Sequence, residues 1–269
     1  VHTYPPPTHL LRDLGLVVTH DGPGTACAVS RLHSGLADPE GRVLTGVAAT
    51  VCDVVAGGLA ARAAAPGWIA TSDLHVALVD PPGPHRELRA AAGVLRAGRS
   101  TVLVEVDLRV DGTPVGVATA AFAVLGRRAH NPEIPVAATE RWELGPAASE
   151  APVLARAGIR PDPRRGATTL TVGPYVRNSL GAVQGGALAL LVEAAARHQD
   201  PAAPLRVTEL HLTYLALART GPLSARVVAE VPATGARTVE VRDVGAGERL
   251  TTLATAVCAP SPRSPGGRR

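Results

Sequence analysis

The feature that most restricts how this chain can fold is an internal repeat in which two apolar segments carry one acid at matching positions. Asp38-Pro39-Glu40-Gly41-Arg42-Val43-Leu44-Thr45-Gly46 is answered by Asn178-Ser179-Leu180-Gly181-Ala182-Val183-Gln184-Gly185-Gly186. Each stretch leads into an Ala/Val/Leu-rich segment. The one early acid of that segment, Asp53 or Glu193, lies seven residues beyond the aligned glycine, Gly46 or Gly186. The correspondence continues downstream: residues 71–76 match 207–212, 98–102 match 235–239, and 118–120 match 254–256. Upstream, 14–16 match 157–159. The offset between copies drifts from 140 to 136, as a few loop deletions produce. Two diverged copies of one unit imply two like folding units.

Each copy reads as a short lead-in, one helix, then strands. Residues 46–64 and 185–198 are apolar on nearly every face and end near Pro66-Gly67 and Asp200-Pro201, which predicts two buried helices. Alternating or β-branched runs follow at 70–79, 86–97, 101–110 and 114–125, then at 205–217, 222–231, 237–244 and 249–258. Turn signals such as Asp111-Gly112 and Gly245-Ala246-Gly247 separate them. The pattern predicts an α+β chain in which an antiparallel sheet covers each helix. The expected domains are 8–126 and 153–259, joined by a Pro/Ala-containing linker at 127–152 and followed by a disordered tail at 260–269.

The two acids carry the chemistry. Each is the first charge in its helix, ahead of Arg62 or Arg197, and a buried carboxylate must be held by donors or shift its pKa. Gly185-Gly186 at a helix start exposes backbone N–H groups at the positive end of the dipole, where a carbonyl oxygen can be stabilised as an oxyanion. Seven residues of helix span roughly 10 Å, so a carbonyl held there is beyond easy reach of the acid of the same helix. If acid and glycine cooperate, the acid comes from the other copy. One composite site would then join Asn178, Gln184, Gly185 and Gly186 to Asp53. The other, weaker one would join Asp38, Thr45 and Gly46 to Glu193, with Leu44 in place of the glutamine. An acid at position 38 is expected to oppose an oxyanion and to repel Glu193.

The run Asn178-x-x-Gly181-x-x-Gln184-Gly185-Gly186-x6-Glu193 resembles the signature of hotdog-fold acyl-CoA thioesterases of the phenylacetyl-CoA thioesterase (PaaI-like) branch. Gln184 stands where that family usually has His, and the first copy keeps only Gly41, Gly46 and Asp53. The resemblance covers about residues 10–126 and 153–259 and implies a tandem double hotdog, paired as a pseudo-dimer. It also implies hydrolysis of acyl-CoA or a related thioester. The N–H of Gly185 or Gly186 would bind the thioester oxygen, the carboxylate would act as base or nucleophile, and Asn178 and Gln184 would position the carbonyl or water. Two alternatives stand beside it: a non-catalytic acyl-binding or scaffold protein, and a hotdog hydratase or dehydratase, which would normally bring a histidine to the helix.

Composition narrows the remaining choices. All 27 Lys+Arg residues are Arg, which excludes a lysine Schiff base and a Walker-type phosphate loop. Cys27, Cys52 and Cys258 are odd in number and far apart, which suits buried thiols in a reducing cytoplasm. No spacing of His and carboxylates predicts a metal site, and no cofactor is expected. The formal charge of +4 comes from scattered arginines, so an acyl-thioester substrate is expected as partner rather than nucleic acid. Neither a membrane span nor a signal peptide is expected, and homodimerisation is left open. His75 and His211, beside Asp73 and Glu209, are expected to line the seam between copies or a polar strand face. Only six aromatic residues are available, so the core must be built from Val, Leu, Ala and Ile.

Overall fold

The computed structural model describes residues 4–22, 24–79, 81–126, 139–145, 149–198 and 205–260. The first half comprises α1 (Leu10–Asp13), β1 (Val17–Asp21), β2 (Thr25–Arg31), α2 (Thr45–Ala63), β3 (Trp68–Leu78), β4 (Glu87–Ala97), β5 (Thr101–Val110), β6 (Thr113–Leu125) and β7 (Thr139–Glu143). The second half repeats the order with α3 (Val153–Arg156), β8 (Ile159–Asp162), β9 (Ala167–Leu170), α4 (Gly185–Arg197), β10 (Leu205–Tyr214), β11 (Leu223–Val231), β12 (Ala236–Asp243) and β13 (Arg249–Pro260). The thirteen strands among the described residues form one sheet in the order β7-β1-β2-β4-β5-β6-β3-β10-β13-β12-β11-β9-β8, and every pairing is antiparallel.

The sheet curls over both helices because its inward residues alternate. Val102, Val104, Val106 and Leu108 of β5 are buried, as are Leu74 and Val76 of β3. The core is the expected Val/Leu/Ala mixture, with Phe122 the largest fully buried side chain. α2 is long and apolar enough to cross a membrane by length and composition, but it is mostly buried inside the protein as its core helix.

The halves join where β3 pairs with β10 in a register centred on His75 opposite His211. These two occupy equivalent positions of the repeat, so the junction is a pseudo-two-fold axis. Across it His75 Nε2 lies 2.8 Å from Glu209 and His211 Nε2 lies 2.9 Å from Asp73. All four side chains are at least one-third exposed on the outer face, so the histidines line the seam and the strand's polar face at once. Beneath the seam the helices touch at two equivalent points. A Cβ on Gly46 would lie 2.8 Å from the Leu190 backbone nitrogen, and one on Gly186 would lie 2.6 Å from Thr50 Cα. Only glycine allows this approach.

Several expected boundaries differ by one to three residues, and the linker differs in kind. The linker holds β7, which pairs with β1 in a register that sets Trp142 opposite Val18. Glu140 of β7 forms an ion pair with buried Arg62 of α2. β10 stops at Tyr214 rather than 217 because Leu215 and Ala216 both donate to the Thr251 carbonyl, which ends the ladder. β13 runs on to Pro260. The rest of the expected tail, 261–269, lies outside the described residues, as does most of the linker.

Candidate active site

Asn178 and Gly181 shape the loop that enters α4. The Asn178 carboxamide oxygen accepts from Leu180 and Ala182 N–H, each at 3.0 Å, and Gly181 takes the left-handed conformation (φ +72°) that closes the turn. Asp38 and Gly41 build the same turn in the first half, where Asp38 accepts from Arg42 N–H at 2.8 Å. The side-chain oxygen of residue 178 is therefore used by its own loop, while the residue itself lines the cavity described below.

Gln184 caps α4, its Oε1 accepting the Ala187 N–H at 3.1 Å. Its amide nitrogen donates to Asp53 Oδ2 of α2 at 3.2 Å. Thr71 of β3 donates to Asp53 Oδ1 at 2.8 Å. A Cβ on Gly185 would meet Asp53 Oδ2 at 2.7 Å, so glycine alone lets the carboxylate lie against the first turn of α4. Tyr214 of β10 closes the other side, its hydroxyl donating to the Gly185 carbonyl at 3.1 Å. Asp53, Gln184 and Gly185 thus meet, with each half supplying part of the group. Burial pushes the Asp53 carboxyl up to about 6, with the Thr71 hydrogen bond opposing the rise.

The group opens onto a cavity of about 760 Å³. Its walls are apolar along one face of α2, where Val54, Gly57, Gly58 and Ala61 follow Asp53 at helical spacing. Five of the chain's six aromatic residues line it: Tyr4, Trp68, Phe122, Trp142 and Tyr214. The outer wall comes from outside the repeat. Trp142 and Leu144 come from the segment between the halves, and Tyr4 and Pro5 from the N-terminal segment. Arg12 ties these segments together through the carbonyls of Pro5, Pro6 and Leu144.

At the pseudo-symmetric position the same parts make a closed structure. Glu193 is one methylene longer than Asp53 and reaches the start of α2, accepting Thr45 N–H at 3.2 Å and Gly46 N–H at 2.7 Å. Among the described residues, the corresponding Gly185 and Gly186 N–H groups have no acceptor. Thr45 turns its hydroxyl onto the Val207 carbonyl at 2.6 Å. Burial pushes Glu193 up to about 7, against the backbone donors and Arg197. Every other polar member of the first group is apolar here: Gln184 becomes Leu44, Thr71 becomes Val207 and Tyr214 becomes Leu78, all buried. Asp38 raises the Glu193 pKa, the repulsion expected of an acid at that position. It is held by Arg197 at 2.9 Å.

Thr71 and Tyr214 escaped the sequence reading. The aligned strands contained the signal, since Thr71 stands opposite Val207 in the repeat, and a polar residue kept in one copy alone marks the working side. Among the described residues, no group of three or more His, Cys, Asp or Glu side chains is arranged to hold a metal ion.

Comparison with known proteins agrees with this architecture. Residues 40–125 match the family of acyl-CoA thioesterase N-terminal domains. The match falls on the first half, although the loop motif is fuller in the second. No curated protein sequence matches the chain. Among solved structures, an acyl-ACP thioesterase from Bacteroides thetaiotaomicron superposes with a TM-score of 0.60 at 16% identity, covering 87% of this chain and 98% of that one. The tesB protein of Mycobacterium avium subs paratuberculosis gives 0.59 at 13% identity, covering 94% and 98%. A 12:0-ACP thioesterase from Umbellularia californica gives 0.57 at 13%, covering 88% and 98%. At these identities the likeness is one of fold, and that fold is the tandem double hotdog.

Proposed function

We propose that this tandem double hotdog, with its acyl-CoA thioesterase domain at residues 40–125, hydrolyses acyl thioesters, acyl-CoA foremost, at the composite site around Asp53. One arrangement supports the reading. A buried carboxylate from one half, fixed by Thr71 and Gln184, lies against the glycine start of the other half's helix at the end of an apolar cavity. The acyl group occupies the groove along α2. The thioester oxygen faces the helix-start N–H groups of Gly185 and Gly186, whose partial positive charge stabilises it as it becomes an oxyanion.

Asp53 serves as general base. A water held between the carboxylate, the Thr71 hydroxyl and the Gln184 amide attacks the carbonyl carbon while Asp53 takes its proton. The tetrahedral adduct then collapses, the carbon–sulfur bond breaks, and the departing thiolate recovers the proton from Asp53. A pKa near 6 leaves Asp53 ionised at neutral pH yet basic enough to accept a proton.

Release of free thiol from acyl-CoA thioesters of increasing chain length tests the proposal. Asp53→Asn is expected to lower kcat by at least about 10²-fold while leaving the fold intact. Glu193→Gln is expected to cost only a few-fold, because that carboxylate caps a helix. A loss confined to Glu193, or equal losses at both, would overturn the composite site. Binding without cleavage of any thioester would establish the acyl-binding alternative.

A further inference from the structure

The two halves differ most where an acyl chain would lie. In the first half the groove along α2 is open at Gly57, and its rim is formed by Asn178 and Leu180 from the entering loop and Ile69 from β3. The repeat places Arg197 at the position of Gly57, Asp38 and Glu40 at those of Asn178 and Leu180, and Leu205 at that of Ile69. Arg197 contacts all three of these counterparts. Its guanidinium lies 2.9 Å from Asp38 and 3.2 Å from Glu40, and its Nε donates to the Leu205 carbonyl at 2.8 Å. The arginine therefore fills, in the second half, the space that a glycine leaves empty in the first. The Arg197–Asp38 pair is sheltered, since the Arg197 side chain is 16% exposed and that of Asp38 is 4% exposed.

We infer that Arg197, clamped by Asp38 and Glu40, is a built-in plug that closes a second acyl groove beside Glu193, so that the chain accepts one acyl group although its fold provides for two. The inference rests on the reading of the Asp53 groove as the acyl site. A charged plug suits the task. An apolar side chain could be pushed aside by an acyl chain at little cost, whereas displacing Arg197 would strand the buried Asp38 carboxylate without its partner. The loop acids and the helix arginine act together, and the groove beside Asp53 has neither: Asn178, Leu180 and Gly57 stand in their places.

Calorimetric titration with a non-hydrolysable acyl-CoA thioether reads the stoichiometry directly. The wild-type chain is expected to bind one thioether. Arg197→Gly combined with Asp38→Asn and Glu40→Leu installs around the second groove the residues that surround the first, and leaves no unpaired charge. That variant is expected to bind two, with turnover at Asp53 within about twofold of wild type. Two thioethers bound by the wild-type chain, or one bound by the folded triple variant, would overturn the plug while leaving the Asp53 site standing. The reciprocal change covers the case in which the triple variant fails to fold. Gly57→Arg combined with Asn178→Asp and Leu180→Glu places the clamped plug in the open groove and is expected to lower binding at least 100-fold. Gly57→Ala, whose methyl would sit 3.6 Å from the Phe122 ring, is the folding control. Retained binding by that variant, when folded, would refute the plug. No binding by the wild-type chain would refute the acyl site and the plug together.

Discussion

Asp53 and Glu193 show how one methylene and three neighbours divide two equivalent carboxylates between two tasks. Glu193 reaches the opposite helix and uses up its first N–H groups, whereas Asp53 stops short and is met by Thr71 and Gln184. Because burial raises the Asp53 pKa to about 6, turnover should rise with pH through that value and level off above it. Thr71 opposes the rise, so Thr71→Val should move the acid limb of the kcat profile to higher pH as well as lowering the plateau; an unmoved limb would exclude Thr71 as the residue that tunes Asp53. The same shift has a cost in stability. A carboxyl whose folded pKa lies above its unfolded value favours folding below about pH 4, and that contribution is lost as pH rises through 6. Asp53→Asn should therefore unfold at higher denaturant than wild type at pH 8, by roughly 1–3 kcal/mol, with the advantage gone at pH 4. Both acids and the glycines beside them were legible in the sequence because the repeat placed them in register. Thr71 was marked only by its contrast with Val207 in the aligned copy, and Tyr214 was not legible, since it lies 29 residues from Gly185 and only the packing of β10 against α4 brings the two together.

The helices α2 and α4 meet through Gly46 and Gly186, so these glycines serve packing before any chemistry. Gly186→Ala drives a methyl into Thr50 and Gly46→Ala drives one into the Leu190 backbone. Each should destabilise the protein by about 1–3 kcal/mol or more in denaturant unfolding. Gly57→Ala, on the open face of α2, should instead gain about 0.5–1 kcal/mol from helix propensity. A reversed order would mean that the helices do not cross at those positions. Sequence patterning located both helices to within a residue or so at each end, because an apolar run closed by Pro or Gly is unambiguous. It could not find β7. Five residues inside a Pro- and Ala-containing stretch carry no strand signal of their own, and they become a strand only because β1 offers an unpaired edge.

Since one continuous sheet spans both halves, and each half's carboxylate is held by the other half's helix, neither half is complete alone. Thermal unfolding followed by calorimetry should show a single transition, and two resolved transitions would show that the halves fold independently. Pairing of the copies was legible from helix arithmetic, which put an acid and its matching glycine too far apart on one helix. The closure of one of the two sites was only partly so. The loss of Gln at position 44 was visible, but the clamp on Arg197 depends on a loop and a helix end that the sequence leaves 157–159 residues apart.

Both tryptophans of the chain, Trp68 and Trp142, line the one cavity, one from a core strand and the other from the added strand β7. Tryptophan emission from this protein therefore comes entirely from the walls of that cavity. A change in tryptophan fluorescence on adding a thioester reports occupancy of the groove with no label attached, and Trp142→Phe leaves Trp68 as a sole reporter of the inner wall.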